Sequence, residues 1–177
     1  MLHNYDISNI KAKAIVREYP QNAFPLKVSG KYAHSNTLLM TTDGIVPILP
    51  VNEINNTNVI VVDARTLIGD ILISEKSDGL SIIKVGSGTT APTSNDIDVE
   101  TVISSTKQYT YRYRISGIIT ISTFFSSVDN NGTWGNAGLF GGNSLYSAQM
   151  FCHSTFSPTV SKTSANTQTL DFDVTIQ

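Results

Sequence analysis

Few residues of this chain have the type and spacing that enzyme chemistry requires. The three histidines, His3, His34 and His153, lie far apart and follow no repeated spacing. Nucleophilic catalysis needs a nucleophile beside a base, and a zinc site needs several closely spaced cysteine or histidine ligands. Cys152 and His153 are adjacent, but adjacent side chains on a strand point to opposite faces, and a lone buried cysteine commonly packs as a small hydrophobic residue. We therefore expect a protein that is not an enzyme and that binds no cofactor.

Three carboxylates alternate along the chain at Asp96, Asp98 and Glu100. On an extended segment they would lie on one side, where they could recruit a calcium ion, but a solvated strand edge explains the same spacing. Calcium loops need a more complete set of oxygen ligands around a defined glycine, so the sequence predicts no metal site here. An enzyme that cleaves glycans would need two carboxylates about 5 to 9.5 Å apart across a cleft, a relationship that spacing along the chain does not reveal.

A row of tyrosines alternates with arginines between residues 108 and 116, which predicts a strand with one face of aromatic rings. The rings could pack against a partner layer, or they could form a platform, together with Trp134, on which sugars or bases stack. Alternation with arginine is typical of any half-buried strand, so packing is the preferred interpretation. The candidate interface residues are large apolar or aromatic side chains: Tyr109, Tyr111, Tyr113, Trp134, Leu139 and Phe140. A host surface glycan is the ligand that the second interpretation implies.

Residues 80 to 98 read LSIIKVGSGTTAPTSNDID, an apolar run that stops at a glycine-rich stretch. Residues 81 to 85 have the length and β-branched content of a buried strand. A P-loop would need a Gly-Lys-Ser/Thr ending, and a dinucleotide fingerprint would need a third glycine that opens a helix; neither is present. Gly86, Gly88 and Pro92 are therefore interpreted as a structural turn, because glycine reaches backbone angles closed to other residues and proline fixes its own φ.

Residues 63 to 73 show the spacing of an amphipathic helix. Asp63 is the candidate N-cap, and Gly69 lowers the helix propensity by on the order of 1 kcal/mol relative to alanine. Such a helix depends on packing for its stability, so we expect its apolar face to lie against a sheet. The predicted packing residues are Leu67, Ile68, Ile71 and Leu72.

Elsewhere the chain has the pattern of short strands separated by polar turns. Strands are predicted at residues 10 to 16, 26 to 28, 37 to 42, 45 to 49 and 101 to 104, with an Asp-Gly hairpin turn at 43 and 44. Residues 52 to 58 are rich in asparagine and are predicted to be a loop that limits a domain. The predicted fold is all-β, an antiparallel β-sandwich with one short amphipathic helix. Residues 1 to 57 would form a strand-rich attachment segment, and residues 58 to 177 the sandwich with the helix at 63 to 73.

Charged residues make up 15% of the 177-residue chain, against roughly 25% in an ordinary soluble domain. The formal net charge of -2 argues against a nucleic-acid partner, which a basic face would signal. The first residues carry no basic segment that leads into an apolar one, and no apolar stretch reaches about 18 residues, so we expect a soluble protein made without export and without membrane contact. After residue 130 the only charged side chains are Lys162, Asp171 and Asp173, which favours burial in a homo-oligomer.

Several segments resemble a known family. Residues 86 to 92, GSGTTAP, followed by SNDI at 94 to 97, are similar to the G-x-G-T-T-A-P…S-D-T-A-L signature of virion structural proteins from tailed bacteriophages. NVIVVDARTLI at 58 to 68 is similar to the family's upstream N-L-I-V-D-x-G-R-x-x-I segment. AGLF at 137 to 140 resembles the E-A-G-L-F motif of tail fibre and tail-collar proteins.

This resemblance extends over residues 58 to 177 and departs from the family pattern at two positions. Ala64 stands where glycine is common, and Asn136 replaces the usual acidic residue. The resemblance implies a non-enzymatic structural component of a virion, synthesised in the host cytoplasm, that assembles through contacts with itself and with other virion proteins. A tail, collar or fibre-attachment protein is the first expectation. A capsid decoration or head protein and a glycan-binding receptor module are the alternatives.

Overall fold

The computed structural model describes residues 9–25, 27–28, 31–32, 39–41, 44–48, 50–75, 78–103, 106–142 and 148–176. In this part of the chain, two five-stranded antiparallel sheets pack together beside one short helix, which confirms the predicted fold class. The strands are β1 Ile10–Pro20, β2 Phe24–Pro25, β3 Lys27–Val28, β4 Lys31–Tyr32, β5 Leu39–Thr41, β6 Gly44–Ile48, β7 Asn52–Thr57, β8 Val59–Ile60, β9 Leu80–Gly86, β10 Lys107–Gln108, β11 Tyr111–Ile115, β12 Ile118–Phe125, β13 Gly132–Gly141, β14 Gln149–Lys162 and β15 Asn166–Ile176. The helix, α1, spans Ala64–Leu72.

The first sheet has the strand order β11-β12-β15-β1-β7, and the second sheet has the order β10-β9-β13-β14-β8. β1 pairs with β15 along its whole length, with Ala14 opposite Phe172. Apolar and polar side chains alternate along both strands, so one face of the first sheet is apolar. That face packs on the second sheet. In the core between them, the rings of Phe125 and Trp134 meet edge to face with centroids 4.8 Å apart.

The helix α1 packs on the sandwich through the apolar side of its turns. Ala64 and Leu67 are completely buried, and Ile68 and Ile71 lie partly buried against the main core. The packing prediction for Leu72 is wrong, because its side chain is 78% exposed. At 3.6 residues per turn, this last helical position is rotated away from the stripe that Ala64, Leu67 and Ile71 form.

The start of α1 also differs from the prediction. Asp63 makes no capping hydrogen bond through its side chain. A capping residue needs an extended backbone, whereas Asp63 already has helical angles, with φ -65° and ψ -16°. The helix therefore begins without the predicted side-chain cap and is one residue shorter at each end than residues 63 to 73.

The predicted loop at residues 52 to 58 is wrong, because most of it is strand β7, which pairs with β1 at the edge of the first sheet. Asparagine is depleted in strands, which is why the composition suggested a loop. An edge strand needs little apolar burial, and here Ile54, opposite Val16, supplies it. The sandwich therefore includes β1 and β7, which the predicted boundaries of 58 to 177 leave out.

The single strand predicted at residues 108 to 116 is also wrong, because the chain changes sheets within it. β10 pairs with β9 in the second sheet, whereas β11 pairs with β12 in the first. Between them, the Tyr109 N–H donates to the Ser81 carbonyl and the Thr110 N–H donates to the Ser122 carbonyl. The strand predicted at 101 to 104 is reduced to an isolated bridge between Val102 and Gly86 over its described residues.

Between β1 and β7, the described strands form two small sheets. β5 and β6 pair antiparallel, with Leu39 opposite Ile48 and Thr41 opposite Gly44, which confirms the strand pairing predicted there; Asp43 of the predicted turn lies outside the described residues. β3 pairs with β4, and β2 pairs with β5. His3 and His34 lie outside the described residues. No helix in the described ranges is long and apolar enough to cross a membrane.

Candidate functional site

The glycine-rich segment forms a closed strap on the outer face of the second sheet. We call residues 87 to 101 the strap. Its base is closed because the Ser87 and Gly88 N–H groups donate to the carbonyls of Thr101 and Glu100, at 3.0 and 3.2 Å. Farther along, Val99 is buried in a second core cluster against residues of the sheet and the segment before α1: Val61, Ile82, Phe140 and Met150. The strap is therefore packed onto the sheet by its own apolar side chain.

The predicted structural turn is present, but its glycines serve close approach and not unusual backbone angles. Neither Gly86 nor Gly88 has a positive φ. A Cβ at Gly86 would collide with the Glu100 backbone carbonyl, and one at Gly88 would collide with the Glu100 carboxylate. The chain reverses after Pro92, where the Asp96 N–H donates to the Thr93 carbonyl at 3.3 Å. The prediction that these glycines adopt backbone angles closed to other residues is therefore wrong, and at Gly86 the close approach of the Glu100 carbonyl leaves no room for a side chain.

Asp96 joins the far end of the strap to β14. Its Oδ2 lies 2.6 Å from Nδ1 of His153, and it also accepts hydrogen bonds from the backbone and hydroxyl of Thr93. Burial raises the pKa of the Asp96 carboxyl, but the hydrogen bonds from His153 and Thr93 outweigh burial and hold that pKa below its ordinary value. The ionised carboxylate can only accept, so Nδ1 of His153 carries the donated proton.

Asn136 on β13 holds the base of the strap. Its Nδ2 donates to the carbonyls of Gly88 and Glu100 at 2.8 and 3.0 Å, and its side chain is completely buried. An ionised acidic residue could not donate these bonds. The asparagine that departs from the phage family pattern thus matches the backbone acceptors above it. Sequence spacing gave no sign of this contact, because 48 residues separate Asn136 from Gly88.

The three carboxylates that were considered as calcium ligands each contact a different residue. Asp96 binds His153, whereas Asp98 accepts from Nζ of Lys84 at 2.9 Å. Glu100 accepts from the backbone N–H and the hydroxyl of Thr90, each at 3.1 Å. Within the described ranges, no group of three histidine, cysteine, aspartate or glutamate side chains could hold a metal ion.

Cys152 and His153 point to opposite faces of β14. The Cys152 sulfur lies in the core between the sheets, 3.4 Å from Nδ2 of Asn58, whereas His153 faces the strap. Burial raises the pKa of the Cys152 thiol to about 12, so the sulfur remains protonated at neutral pH. The two side chains therefore do not form a nucleophile and base pair.

The candidate interface residues are mostly inside this chain. Trp134, Leu139 and Phe140 are completely buried, and Nε1 of Trp134 donates to the Asn130 carbonyl at 2.8 Å. They are core residues and not surface contacts, because β13 is a central strand of the second sheet.

The tyrosines do not make the shared platform that glycan stacking would need. Tyr111 is buried, and its ring lies 6.3 Å from that of Tyr113 on the same strand. Tyr109 lies before β11 and packs towards the main core, with the Arg112 guanidinium 4.6 Å from its ring. Because the rings are divided between a core and a sheet face, they do not form one exposed aromatic surface with Trp134.

A buried ion pair lies on the face of the first sheet that points away from the main core. Arg17 on β1 contacts Asp171 on β15 through Nη1, and its Nε lies 2.6 Å from Glu53 on β7. The Ser122 hydroxyl donates to the same Asp171 carboxylate. Burial lowers the pKa of Arg17, but the negative charges of Asp171 and Glu53 outweigh it and raise that pKa overall. No local sequence pattern marks this cluster, because its members come from four separate strands.

Lys162 at the end of β14 is a second buried charge, and no motif in the sequence marks it. Its side chain is 1% exposed, and Nζ donates to Oδ1 of Asn131 and to the carbonyls of Thr163 and Asn166 at 2.9 to 3.0 Å. Burial lowers the pKa of the Lys162 ammonium. Three neutral oxygens thus surround a cation at the end of the sandwich.

Comparisons of the chain with protein-family models, with curated proteins and with solved structures find no match.

Proposed function

We propose that the chain is a non-enzymatic structural component of a tailed-phage virion, a tail, collar or fibre-attachment protein that assembles through contacts with itself and with other virion proteins. The proposed role in a virion rests on the family resemblance of residues 58 to 177. The polar clusters described above support a structural role, because their groups bind one another. The Asp96 and His153 pair and the Arg17 and Asp171 pair both hold elements of this chain together.

The observation that supports the proposal most directly is that the strap is hydrogen-bonded to the second sheet at both of its ends. Residues 86 to 98 contain the motif most similar to the phage family, and in this fold they are bound to the second sheet at both ends. Asn136 holds the base and His153 holds the far end. A ligand cradle would present free backbone donors, whereas these N–H groups are used internally at Ser87, Gly88 and Thr90.

Exposed apolar side chains at one end of the first sheet support assembly. Ile115 and Ile118 are opposite each other on β11 and β12, with 61% and 40% of their surfaces exposed. Ser116 and Gly117 between them both have positive φ, as a tight hairpin requires. Ile176, at the end of β15, is also exposed. A contact that covers these side chains would remove apolar surface from water.

Sedimentation of the purified chain over a range of concentrations tests the assembly. We expect a concentration-dependent oligomer that Ile115→Ser with Ile118→Ser weakens. Val128→Ser is the matched control, because Val128 is also apolar, is more exposed than either isoleucine, and lies beyond the opposite end of β12. A chain that stays monomeric at high micromolar concentration and binds no virion protein would contradict the proposal.

The location of the protein in the phage particle tests the proposed tail, collar or fibre-attachment role. Gold-labelled antibodies against the purified chain are expected to bind at the tail, collar or fibre base of particles of the phage that encodes it. Labelling over the head would favour the capsid decoration alternative. Purified particles without the chain would overturn a virion role.

A further inference from the structure

Three of the four edge strands of the sandwich are protected against pairing with another chain. In the second sheet, the described edge strands β8 and β10 are only two residues long. In the first sheet, β11 carries exposed arginines at positions 112 and 114. Short edge strands and charged side chains are common means by which proteins prevent edge-to-edge association. The fourth edge strand, β7, is six residues long and pairs with β1 without a register shift.

The only charge on β7 is already neutralised within the chain. Glu53 contacts Nε of Arg17 at 2.6 Å, and it accepts a hydrogen bond from Nδ2 of Asn55 at 2.9 Å. The other side chains of β7 are asparagine, isoleucine and threonine, and the strand contains no proline to interrupt pairing. Most of these side chains are exposed. β7 is therefore a long and nearly neutral edge that remains accessible.

The backbone of β7 turns alternate N–H and C=O groups away from β1. Just beyond the strand, the Asn58 N–H donates to the Ala12 carbonyl at 3.1 Å. Hydrogen-bonded pairs recur at every second residue of an antiparallel ladder, so the backbone groups of Glu53 and Asn55 face outwards. Among the described residues, no backbone group pairs with Glu53 or Asn55 on that outer side. An incoming strand would find these donors and acceptors free.

We propose that β7 pairs antiparallel with β7 of a second copy of this chain around a two-fold axis, which joins the two first sheets into one continuous sheet. Ile54 of one copy lies opposite Ile54 of the other at the axis. Each Glu53 then lies opposite Asn55 of the other copy, so the outward-facing backbone groups meet in two hydrogen-bonded pairs.

The neighbouring registers are less favourable. Shifted one way, the two Glu53 side chains would lie directly opposite each other, and like charges in that position destabilise a sheet. Shifted the other way, the pairing would use the carbonyl of Thr57, which already accepts from the Ser154 hydroxyl at 3.5 Å. The register centred on Ile54 avoids both conflicts.

The same edge of a second copy is a better partner than β11. Pairing between β7 and β11 of different copies joins unlike edges and continues into an open chain or a ring. It also brings Arg112 and Arg114 next to a strand whose single carboxylate is already bound to Arg17. The β7 pair closes with two copies and adds no unbalanced charge.

The pairing rests on the self-association part of the proposed function and names the strand that provides it. Ile115 lies on β11, at the opposite edge of the first sheet from β7. The double variant Ile115→Ser with Ile118→Ser therefore removes the other proposed contact and leaves the β7 edge unchanged. We expect this double variant to form dimers at high micromolar concentration. A monomer would overturn the β7 pairing, and wild-type oligomers would still support the proposed assembly.

Cysteine trapping tests the register. In Ile54→Cys, mild oxidation should link two copies, because opposite residues at such a position have Cα atoms about 4.5 Å apart, within the range of a disulfide. Asn56→Cys is the matched control on the same strand, since its two copies would lie four residues apart, about 14 Å. Cys152 is completely buried and does not compete. Absence of linked Ile54→Cys dimers, or equal linking of both variants, would overturn the proposal.

Proline substitution tests which edge is used. Asn55→Pro removes an N–H that β1 does not use, so in the double isoleucine variant we expect the dimer dissociation constant to rise at least about tenfold. Arg114→Pro is the matched control, because it makes the same change on the other free edge of the sheet, and it should leave the dimer intact. Sedimentation measures both. A dimer that Asn55→Pro leaves unchanged, or that Arg114→Pro weakens equally, would overturn the proposal. If Asn55→Pro does not fold, the cysteine variants decide.

Discussion

Nδ1 of His153 on β14 lies 2.6 Å from Oδ2 of Asp96 on the strap, although 57 residues separate them in sequence. The bond ties the far end of the strap to a central strand of the second sheet. Together with Val99 beneath it and Asn136 at its base, it makes the strap part of the sandwich.

Asp96→Asn should destabilise the fold. It removes a charge-assisted bond to a buried histidine, and hydrogen bonds to charged groups contribute about 1.5 to 3 kcal/mol. The free energy of unfolding, measured with urea, checks the loss. Asp98→Asn is the control on the same strap, where the carboxylate is 47% exposed and pairs with Lys84, so a loss of about 0 to 1 kcal/mol is expected. Equal losses in the two variants would contradict a specific role for the bond to His153.

The same bond predicts acid sensitivity. The pKa of Asp96 is below its ordinary value of 3.8 in the folded state, so its contribution to stability is complete above about pH 3.8 and is lost as the pH falls through the folded-state value. Glu53 and Asp129 also have lowered pKa values and act with the same sign. Urea unfolding of wild type and Asp96→Asn at decreasing pH should show the stability difference shrinking. A difference that does not change with pH would contradict this assignment.

Gly86→Ala and Gly69→Ala should have opposite effects. A Cβ at Gly86 would collide with the Glu100 backbone carbonyl, which cannot move without opening the strap, so a loss of about 1 to 3 kcal/mol or more is expected. A Cβ at Gly69 meets nothing within 4 Å, and alanine is the better helix former by about 1 kcal/mol. Thermal unfolding of both variants measures the two shifts. A stabilised Gly86→Ala would mean that the strap approaches β9 less closely than the structure indicates.

Leu67→Ala and Leu72→Ala test how α1 packs. Leu67 is completely buried in the main core, and truncation of such a residue typically costs about 2 to 5 kcal/mol. Leu72 is exposed, so its truncation should change stability by no more than about 0.5 kcal/mol. Similar effects, measured by urea unfolding, would place the helix in a different rotation.

Asp171→Ala should be far more harmful than Asp173→Ala, although both residues lie on the same face of β15. Asp171 is completely buried, and its loss leaves the Arg17 guanidinium without its buried partner, at a typical cost of about 3 to 5 kcal/mol. Asp173 is partly exposed and accepts from the Thr120 hydroxyl at 2.6 Å, a bond that contributes about 0.5 to 1.5 kcal/mol. The two variants are compared by their yield of soluble protein and by urea unfolding. A mild Asp171→Ala would mean that solvent reaches Arg17.

The sequence predicted the fold class partly because alternation along β1 and along the tyrosines of β11 is a local signal of a half-buried strand. It failed at residues 108 to 116 for the same reason. Alternation continues through the change of sheets at Tyr109 and Thr110, since each sheet buries every second side chain. Which sheet a strand joins depends on pairing with distant residues, which a local pattern does not contain.

The contacts of the candidate site were less predictable still. The glycine-rich motif drew attention to residues 86 to 98, but Asn136 and His153 approach that stretch from strands far along the chain. Glycine has two uses, unusual backbone angles and close approach, and composition does not distinguish them. The buried amide of Asn136 needs acceptors nearby, but a sequence pattern does not show that this side chain is buried.

The order of strands in the first sheet also determines when the protein can fold. β15 lies between β12 and β1 and pairs with both. Neither of these long strands therefore has this partner until β15 has been synthesised. During translation, more than a hundred residues are synthesised after β1 before its partner strand β15 is available, and until then the apolar face of β1 is not covered. Pairing over such sequence distances is slow and exposes chains to aggregation. Truncation within β15 would therefore leave a chain in which the β11-β12 pair and the β1-β7 pair have no strand to join them into one sheet.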